Sequence, residues 1–255
     1  MPIATSVDGV KISYMKEGKS GPNVILIHGW CCDGSYWRKT APSLVTDHRV
    51  YTIDLAGHGK SGTNRRVWTI DNYGEDVKAL ADKENLRDIT LVGHSMGGDV
   101  ALAAAQFLAG RVRGVVLVDT YHRIGLRSED QIQAILAPLR ENFRENMKQF
   151  VYGMFTKDAD RMLVDEIASD MSSKDASMAI PSGEATIRYH EGDAFDKLSV
   201  PVRCINCDME PADYDSARRR LRDFGETTMK GVGHFLMLER PDEFNTILRK
   251  TIDSL

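Results

Sequence analysis

Ile89-Thr90-Leu91-Val92-Gly93-His94-Ser95-Met96-Gly97-Gly98 is the stretch whose reading decides the fold. Ile89–Val92 is short and almost wholly apolar, as expected of a strand buried on both faces. Met96–Leu108, rich in alanine and leucine, reads as a helix. The G-x-S-x-G turn between them has a mechanical logic. A serine forced into a tight strand-to-helix turn presents its hydroxyl at the carboxyl end of a sheet, and flanking glycines let strand and helix approach without a Cβ clash. The helix N-terminus adds backbone N–H groups and the positive end of a dipole, which favour a developing oxyanion. Ser95 is therefore the candidate nucleophile.

Working outward, similar apolar runs recur at Asn23–Ile27, Val50–Ile53, Val115–Val118 and Val202–Ile205, with a weaker one at Glu226–Met229. Val10–Met15 follows Asp8-Gly9, a hairpin signal, which predicts an antiparallel opening pair. Helical patterns such as Ile70–Lys83 alternate with the runs, so the fold class is α/β with a mainly parallel sheet. One interval breaks the alternation. From His122 to about Lys197 no strand is legible, whereas Ser128 opens a capping box with Gln131, followed by Ile132, Ile135, Leu136, Leu139 and Phe143 at helical spacing. Pro138 is expected to kink that helix. Arg161–Met171 and Glu184–His190 are also amphipathic. The interval is too long for a loop and reads as a helical insertion over one end of the sheet.

Composition narrows the partners. The 255-residue chain carries a formal net charge of -4, and its densest basic run, Arg218-Arg219-Arg220 with Arg222, is interspersed with Asp213, Asp215, Asp223 and Glu226. That is a solvated helix face, so nucleic acid and anionic membranes are not expected partners. No basic and apolar leader opens the sequence, and no apolar run approaches a membrane span of ~18 residues, so a cytoplasmic location is expected. Cys31-Cys32 and Cys204-x-x-Cys207 are read as buried free thiols, not a zinc site or disulfides, because residues three apart on a strand point to opposite faces.

Three further segments accompany the Ser95 turn: His28-Gly29-Trp30, Asp54-Leu55-Ala56-Gly57-His58-Gly59-Lys60-Ser61, and Gly231-Val232-Gly233-His234. Together they resemble the signatures of the α/β-hydrolase superfamily, in its serine esterase and lipase-like branch, over nearly the whole chain. The resemblance implies an eight-stranded sheet with helices on both faces, a helical cap inserted after the sixth strand, and a nucleophile, acid, histidine order. The expected division is a core of residues 1–120 and 198–255 and a cap of residues 121–197.

Of the seven histidines, His234 matches the family's catalytic base. His28 and His58 match structural histidines, and His94 is the variable position beside the nucleophile. His48, His122 and His190 are expected at the surface or in the cap, with His122 within reach of the pocket. The acid stays open. The family's usual G-x-x-D turn after the seventh strand is here Cys207-Asp208-Met209-Glu210, which leaves Glu210 and Asp208 as candidates; Asp119, closing the apolar strand Val115–Val118, is the rival. The oxyanion hole is expected from the backbone N–H groups of Trp30 and Met96. Trp30 is expected to wall the pocket with some of Phe143, Met147, Met154 and Phe155, whose spacing also suits core packing, the reading expected for at least half of them.

A serine nucleophile, where relatives of this fold use aspartate or cysteine for dehalogenation, epoxide opening or dienelactone cleavage, implies acyl transfer to water with no metal or organic cofactor. The leading expectation is hydrolysis of a small carboxylic ester of short or medium acyl chain. The alternatives are C–C bond hydrolysis, lactone hydrolysis, perhydrolysis, or a receptor that keeps the triad for ligand capture. Oligomeric state is not legible.

Overall fold

The computed structural model describes residues 1–120 and 127–255. Eight strands form one sheet in the order β1-β2-β4-β3-β5-β6-β7-β8. They are β1 (Ile3–Thr5), β2 (Lys11–Glu17), β3 (Asn23–Ile27), β4 (Arg49–Ile53), β5 (Ile89–His94), β6 (Val112–Val118), β7 (Val202–Cys207) and β8 (Phe224–Met229). β1 pairs antiparallel with β2, and β2 antiparallel with β4; every later pairing is parallel. All residues of β3 and β5 are buried, so helices cover both faces of the central sheet. This is why those strands read as continuous apolar runs instead of alternating ones.

The helices are α1 (Ala41–Leu44), α2 (Ile70–Lys83), α3 (Met96–Phe107), α4 (Glu129–Glu141), α5 (Phe143–Tyr152), α6 (Arg161–Ser172), α7 (Ala176–Arg188), α8 (Glu191–Phe195), α9 (Tyr214–Arg220), α10 (Leu236–Glu239) and α11 (Pro241–Asp253). α4 to α8 fill the interval between β6 and β7, where the described residues hold no strand. Ser128 and Gln131 exchange both hydrogen bonds of the capping box that starts α4. The break does not fall at Pro138 itself. It comes at Asn142, which leaves helical geometry at φ −148°, ψ 88° and caps α5 by accepting from Glu145 N–H at 3.3 Å. Phe143, expected as the last apolar position of one helix, is instead the first residue of the next.

The basic run lies on α9, where Arg218 pairs with Asp215 and Glu226, and Arg220 with Asp196. All four cysteines are free and buried. Among the described residues no helix is long and apolar enough to cross a membrane, and no group of three or more His, Cys, Asp or Glu side chains could hold a metal.

Candidate active site

The site sits at the carboxyl edge of the parallel strands, where the chain leaves β3, β5 and β6. Among the described residues, left-handed backbone is adopted there by three non-glycine residues, Cys31 (φ 57°), Ser95 (φ 53°) and Asp119 (φ 47°). Such conformations persist only where the surroundings over-determine them. Ser95, with ψ −126°, lies outside even the usual left-handed basin, and it directly precedes α3. The Met96 N–H is thus one of the first-turn donors that have no intrahelical acceptor. A Cβ at Gly29 would stand 3.2 Å from Ser95 Cβ, so the loop that carries Trp30 lies against the nucleophile. Trp30 is fixed by its indole N–H, which donates to the Ala179 carbonyl of α7 at 2.8 Å.

The three candidate acids separate cleanly. Asp119 Oδ2 lies 2.6 Å from His234 Nδ1, and Asp119 Oδ1 accepts from Cys207 N–H at 2.8 Å. The Cys207 thiol, 3.5 Å from Oδ2, is pushed up to about 12 by burial and then by the Asp119 charge, so it stays a donor. Asp208 is spent elsewhere, taking Gly231 N–H at 2.8 Å. Glu210 is exposed and borders the cavity without a hydrogen bond to His234. Cys207 is therefore more than the inert thiol expected from sequence, because both of its donors hold Asp119.

His234 is clamped on each side. Its N–H donates to the Met154 carbonyl at 2.9 Å, and the Glu239 carboxylate takes the N–H groups of Gly233 (2.9 Å) and Phe235 (3.1 Å). Its carbonyl faces His94 Nε2 at 2.9 Å. Since a carbonyl only accepts, Nε2 carries the proton and the ring is neutral, in keeping with its pKa pushed down to about 3 by burial and then by the nearby His234. Thr120 Oγ1 donates to the Ser95 carbonyl at 3.0 Å, tying the acid-bearing loop to the nucleophile's backbone. Glu239 and Thr120 escaped sequence reasoning, as did the part played by the Met154 carbonyl, since these contacts run through backbone groups that no motif spacing reveals.

His28 and His58 are buried and bind the Asp54–Ser61 turn: His28 Nε2 accepts Leu55 N–H at 3.0 Å and His58 Nδ1 faces the Ala56 carbonyl at 2.9 Å. His48, expected at the surface, is buried instead, its ring against Asp47 at 3.0 Å. His190 lies at the start of α8 beside Asp193. His122 falls outside the described residues.

Ser95, His234, Asp119, Met96 and Trp30 all border one cavity of about 640 Å³. Of the apolar residues expected in its wall, Met154 is there, whereas Phe143, Met147 and Phe155 pack in the core. Phe150 and Met171 take their place. Core packing for most of these residues is what their spacing also suits, because a helical period identifies an apolar stripe without saying whether it faces the core or the cavity.

Asp99, one turn beyond Ser95 on α3, also borders the cavity and is 96% buried in the protein's own packing, being only 4% exposed. Burial, and then the charge of Glu191, push its carboxyl well above the usual range, against the pull of Arg127. A raised folded pKa means that the folded state holds the proton more tightly. The associated stability is full below the unfolded Asp range and is lost as pH rises towards the folded pKa. Asp99→Asn is accordingly expected to gain Tm over the parent by an amount that grows from pH 5 to pH 9. Parallel Tm curves over that range would show that Asp99 has an ordinary pKa.

Known proteins resemble the chain in sequence and in fold. Residues 24–247 match the profile of the Alpha/beta hydrolase family. A non-heme chloroperoxidase of Streptomyces lividans is 26% identical over an alignment covering 100% of both chains. Non-heme chloroperoxidase CPO-A1 of Kitasatospora aureofaciens is 35% identical over 131 residues, 51% of this chain and 47% of the relative. The chain thus spans about half the length of that first curated relative. Among solved structures, an esterase from Exiguobacterium antarcticum superposes with a TM-score of 0.88 at 19% identity, covering 98% of each chain. A bromoperoxidase from Bacillus anthracis superposes with a TM-score of 0.87 at 23% identity, covering 99% of each. These structural likenesses speak to the fold, and with residues 24–247, well over half of its length, inside the family profile, the chain belongs to the alpha/beta hydrolase family.

Proposed function

We propose that this protein hydrolyses a carboxylic ester of short or medium acyl chain through an acyl-enzyme on Ser95. The observation that carries the reading is the 2.6 Å contact between Asp119 Oδ2 and His234 Nδ1 on a cavity that Ser95 also borders. With Nδ1–H donated to Asp119, His234 Nε2 is left bare to take the Ser95 proton as Oγ attacks the ester carbonyl. The oxyanion takes the N–H groups of Trp30 and Met96, and His234 returns the proton to the leaving alcohol. Water then attacks the acyl-enzyme by the same route in reverse. Residues 121–197 act in this reading as a cap over a core of 1–120 and 198–255. The reaction calls for no cofactor, and the four buried free thiols suit the reducing cytoplasm.

An alkyl fluorophosphonate tests the assignment. It is expected to inactivate the enzyme with one adduct per chain, found on Ser95 by peptide mass spectrometry, and to leave Ser95→Ala unlabelled. Labelling elsewhere, or ester turnover retained by Ser95→Ala, would refute it. The similarity to proteins named non-heme chloroperoxidases favours a second reading, in which hydrogen peroxide takes the acyl group from Ser95 to give a peracid. Partition of the acyl-enzyme between water and added peroxide distinguishes the two.

A further inference from the structure

The mechanism leaves three carboxyls of the cavity unused, of which Glu210 is exposed whereas Asp99 and Glu191 are withdrawn from solvent. Asp99 rises from the first turn of α3 and Glu191 opens α8; both border the same cavity as Ser95, and the Glu191 charge adds to the burial that raises the Asp99 carboxyl. Asp99 Oδ1 is buried and has no hydrogen-bond partner among the described residues. A buried carboxyl oxygen left unpaired costs free energy, which is recovered when a ligand supplies the missing donor. Arg127, exposed at the cavity's border, pulls on both carboxyls, yet each stays raised, so the pair is left short of positive charge.

Position gives the pair a catalytic consequence. Asp99 follows Ser95 by four residues on a helix, so their Cα atoms are roughly 6 Å apart along the axis. Burial favours the protonated form of Asp99, and ionising it without a counter-charge would set negative charge against the oxyanion that forms at the substrate carbonyl. A cation bound between the carboxyls removes that opposition and satisfies Asp99. A neutral donor does only the second, and an anion does neither.

Resting on the ester-hydrolase reading, we propose that Asp99 and Glu191 form a subsite for an ammonium group carried by the substrate a few carbons from its scissile carbonyl. The enzyme's preferred esters are then amino esters, with the apolar wall of Phe150, Met154 and Met171 packing the hydrocarbon.

Matched p-nitrophenyl esters of pentanoate, 5-aminopentanoate protected from cyclisation by N,N-dimethylation, and glutarate test this, with 2-(dimethylamino)ethyl butyrate and propyl butyrate as the pair that carries the cation on the alcohol side. The cationic member of at least one pair is expected to exceed its neutral partner in kcat/KM by roughly 10- to 100-fold, the worth of a charge-assisted hydrogen bond at a buried site, and glutarate is expected to be poorest. In Asp99→Asn and in Glu191→Gln the ratio of cationic to neutral ester should fall towards one, whatever happens to the absolute rates. Neutral esters preferred in both pairs, or a cationic preference that survives both substitutions, overturns the subsite. Should the wild-type enzyme turn over none of these esters, the hydrolase reading fails, and calorimetry still judges the subsite: butylammonium should bind the wild-type protein and not Asp99→Asn, with butyrate binding neither. Equal binding of butylammonium by both proteins would reject it.

Discussion

Asp119→Asn is expected to lower kcat by about 10⁴ while leaving KM and Tm nearly unchanged, on the precedent of the corresponding change in a serine protease triad. The argument lies in which atoms can swap roles. Asp119 accepts from Cys207 N–H through Oδ1, and through Oδ2 from His234 and the Cys207 thiol. An asparagine has one oxygen and one NH₂. The backbone N–H of Cys207 can only donate, so the amide oxygen turns to it and the NH₂ faces His234 Nδ1. The ring then settles with Nδ1 bare and Nε2 protonated, which is the tautomer unable to receive the Ser95 proton. The Cys207 thiol loses its acceptor but can take the new NH₂ on its sulfur, and the backbone N–H stays paired, hence the small effect on folding. Asp119→Ala, by contrast, strands the Cys207 N–H and should cost both activity and roughly 1–3 kcal/mol of stability. Glu210→Gln and Asp208→Asn are each expected to cost less than about tenfold in kcat, since a group that does not touch His234 cannot set its tautomer. Kinetics on p-nitrophenyl butyrate with thermal melts decide the matter. Collapse of activity in Glu210→Gln with Asp119→Asn near wild type would move the acid to the loop after β7.

That ambiguity marks where the sequence stopped being readable. β3, β5 and the Ser95 turn are local objects: an apolar run, a G-x-S-x-G and a helix pattern stand side by side, and each part agrees with the next. His234 stood out for the same reason, as a glycine-flanked histidine before a helical pattern. The acid is a meeting of residues 115 positions apart, Asp119 and His234, at the ends of different elements. Sequence spacing could rank candidates but could not say which carboxylate the sheet carries to the ring. Asp119 closes β6, which pairs directly with β7, and this pairing brings the Cys207 N–H to its carboxylate. The pocket wall was less legible still. Phe143, Met147 and Phe155 were as apolar as Phe150 and Met171, and only the rotation of short helices about Asn142 and beyond decides which of them face the cavity. α8, of five residues, is too short for periodicity to register, yet it brings in Glu191.

The largest structural effect is expected at Gly97. A Cβ there would lie 2.4 Å from the Ile27 carbonyl oxygen and 2.5 Å from that of His28. Both are backbone atoms at the end of β3, so no side-chain rotation relieves the contact, and α3 must withdraw by most of an ångström. Its neighbour prevents an easy retreat: Gly93 already admits the Gly97 carbonyl so closely that a Cβ on Gly93 would stand 2.0 Å from it. Overpacking against fixed backbone on two sides belongs among the severe single substitutions, at roughly 4 kcal/mol or more. For a chain of this length Gly97→Ala should then melt roughly 10 °C below the parent. Activity should suffer beyond the loss of folded protein. Withdrawing α3 draws the Met96 N–H away from the loop of Trp30, and misplacing one oxyanion donor costs on the order of 10² in kcat. Gly110→Ala separates packing from conformation. Gly110 also has a positive φ, 76°, but nothing lies within 4 Å of where its Cβ would stand. It should forfeit only the left-handed penalty, about 1–2 kcal/mol, and keep its full kcat when folded. If the two variants melted alike, the close approach of α3 to β3 would be no constraint on the nucleophile turn, and the strained backbone of Ser95 would have to be held by β5 and Thr120 alone.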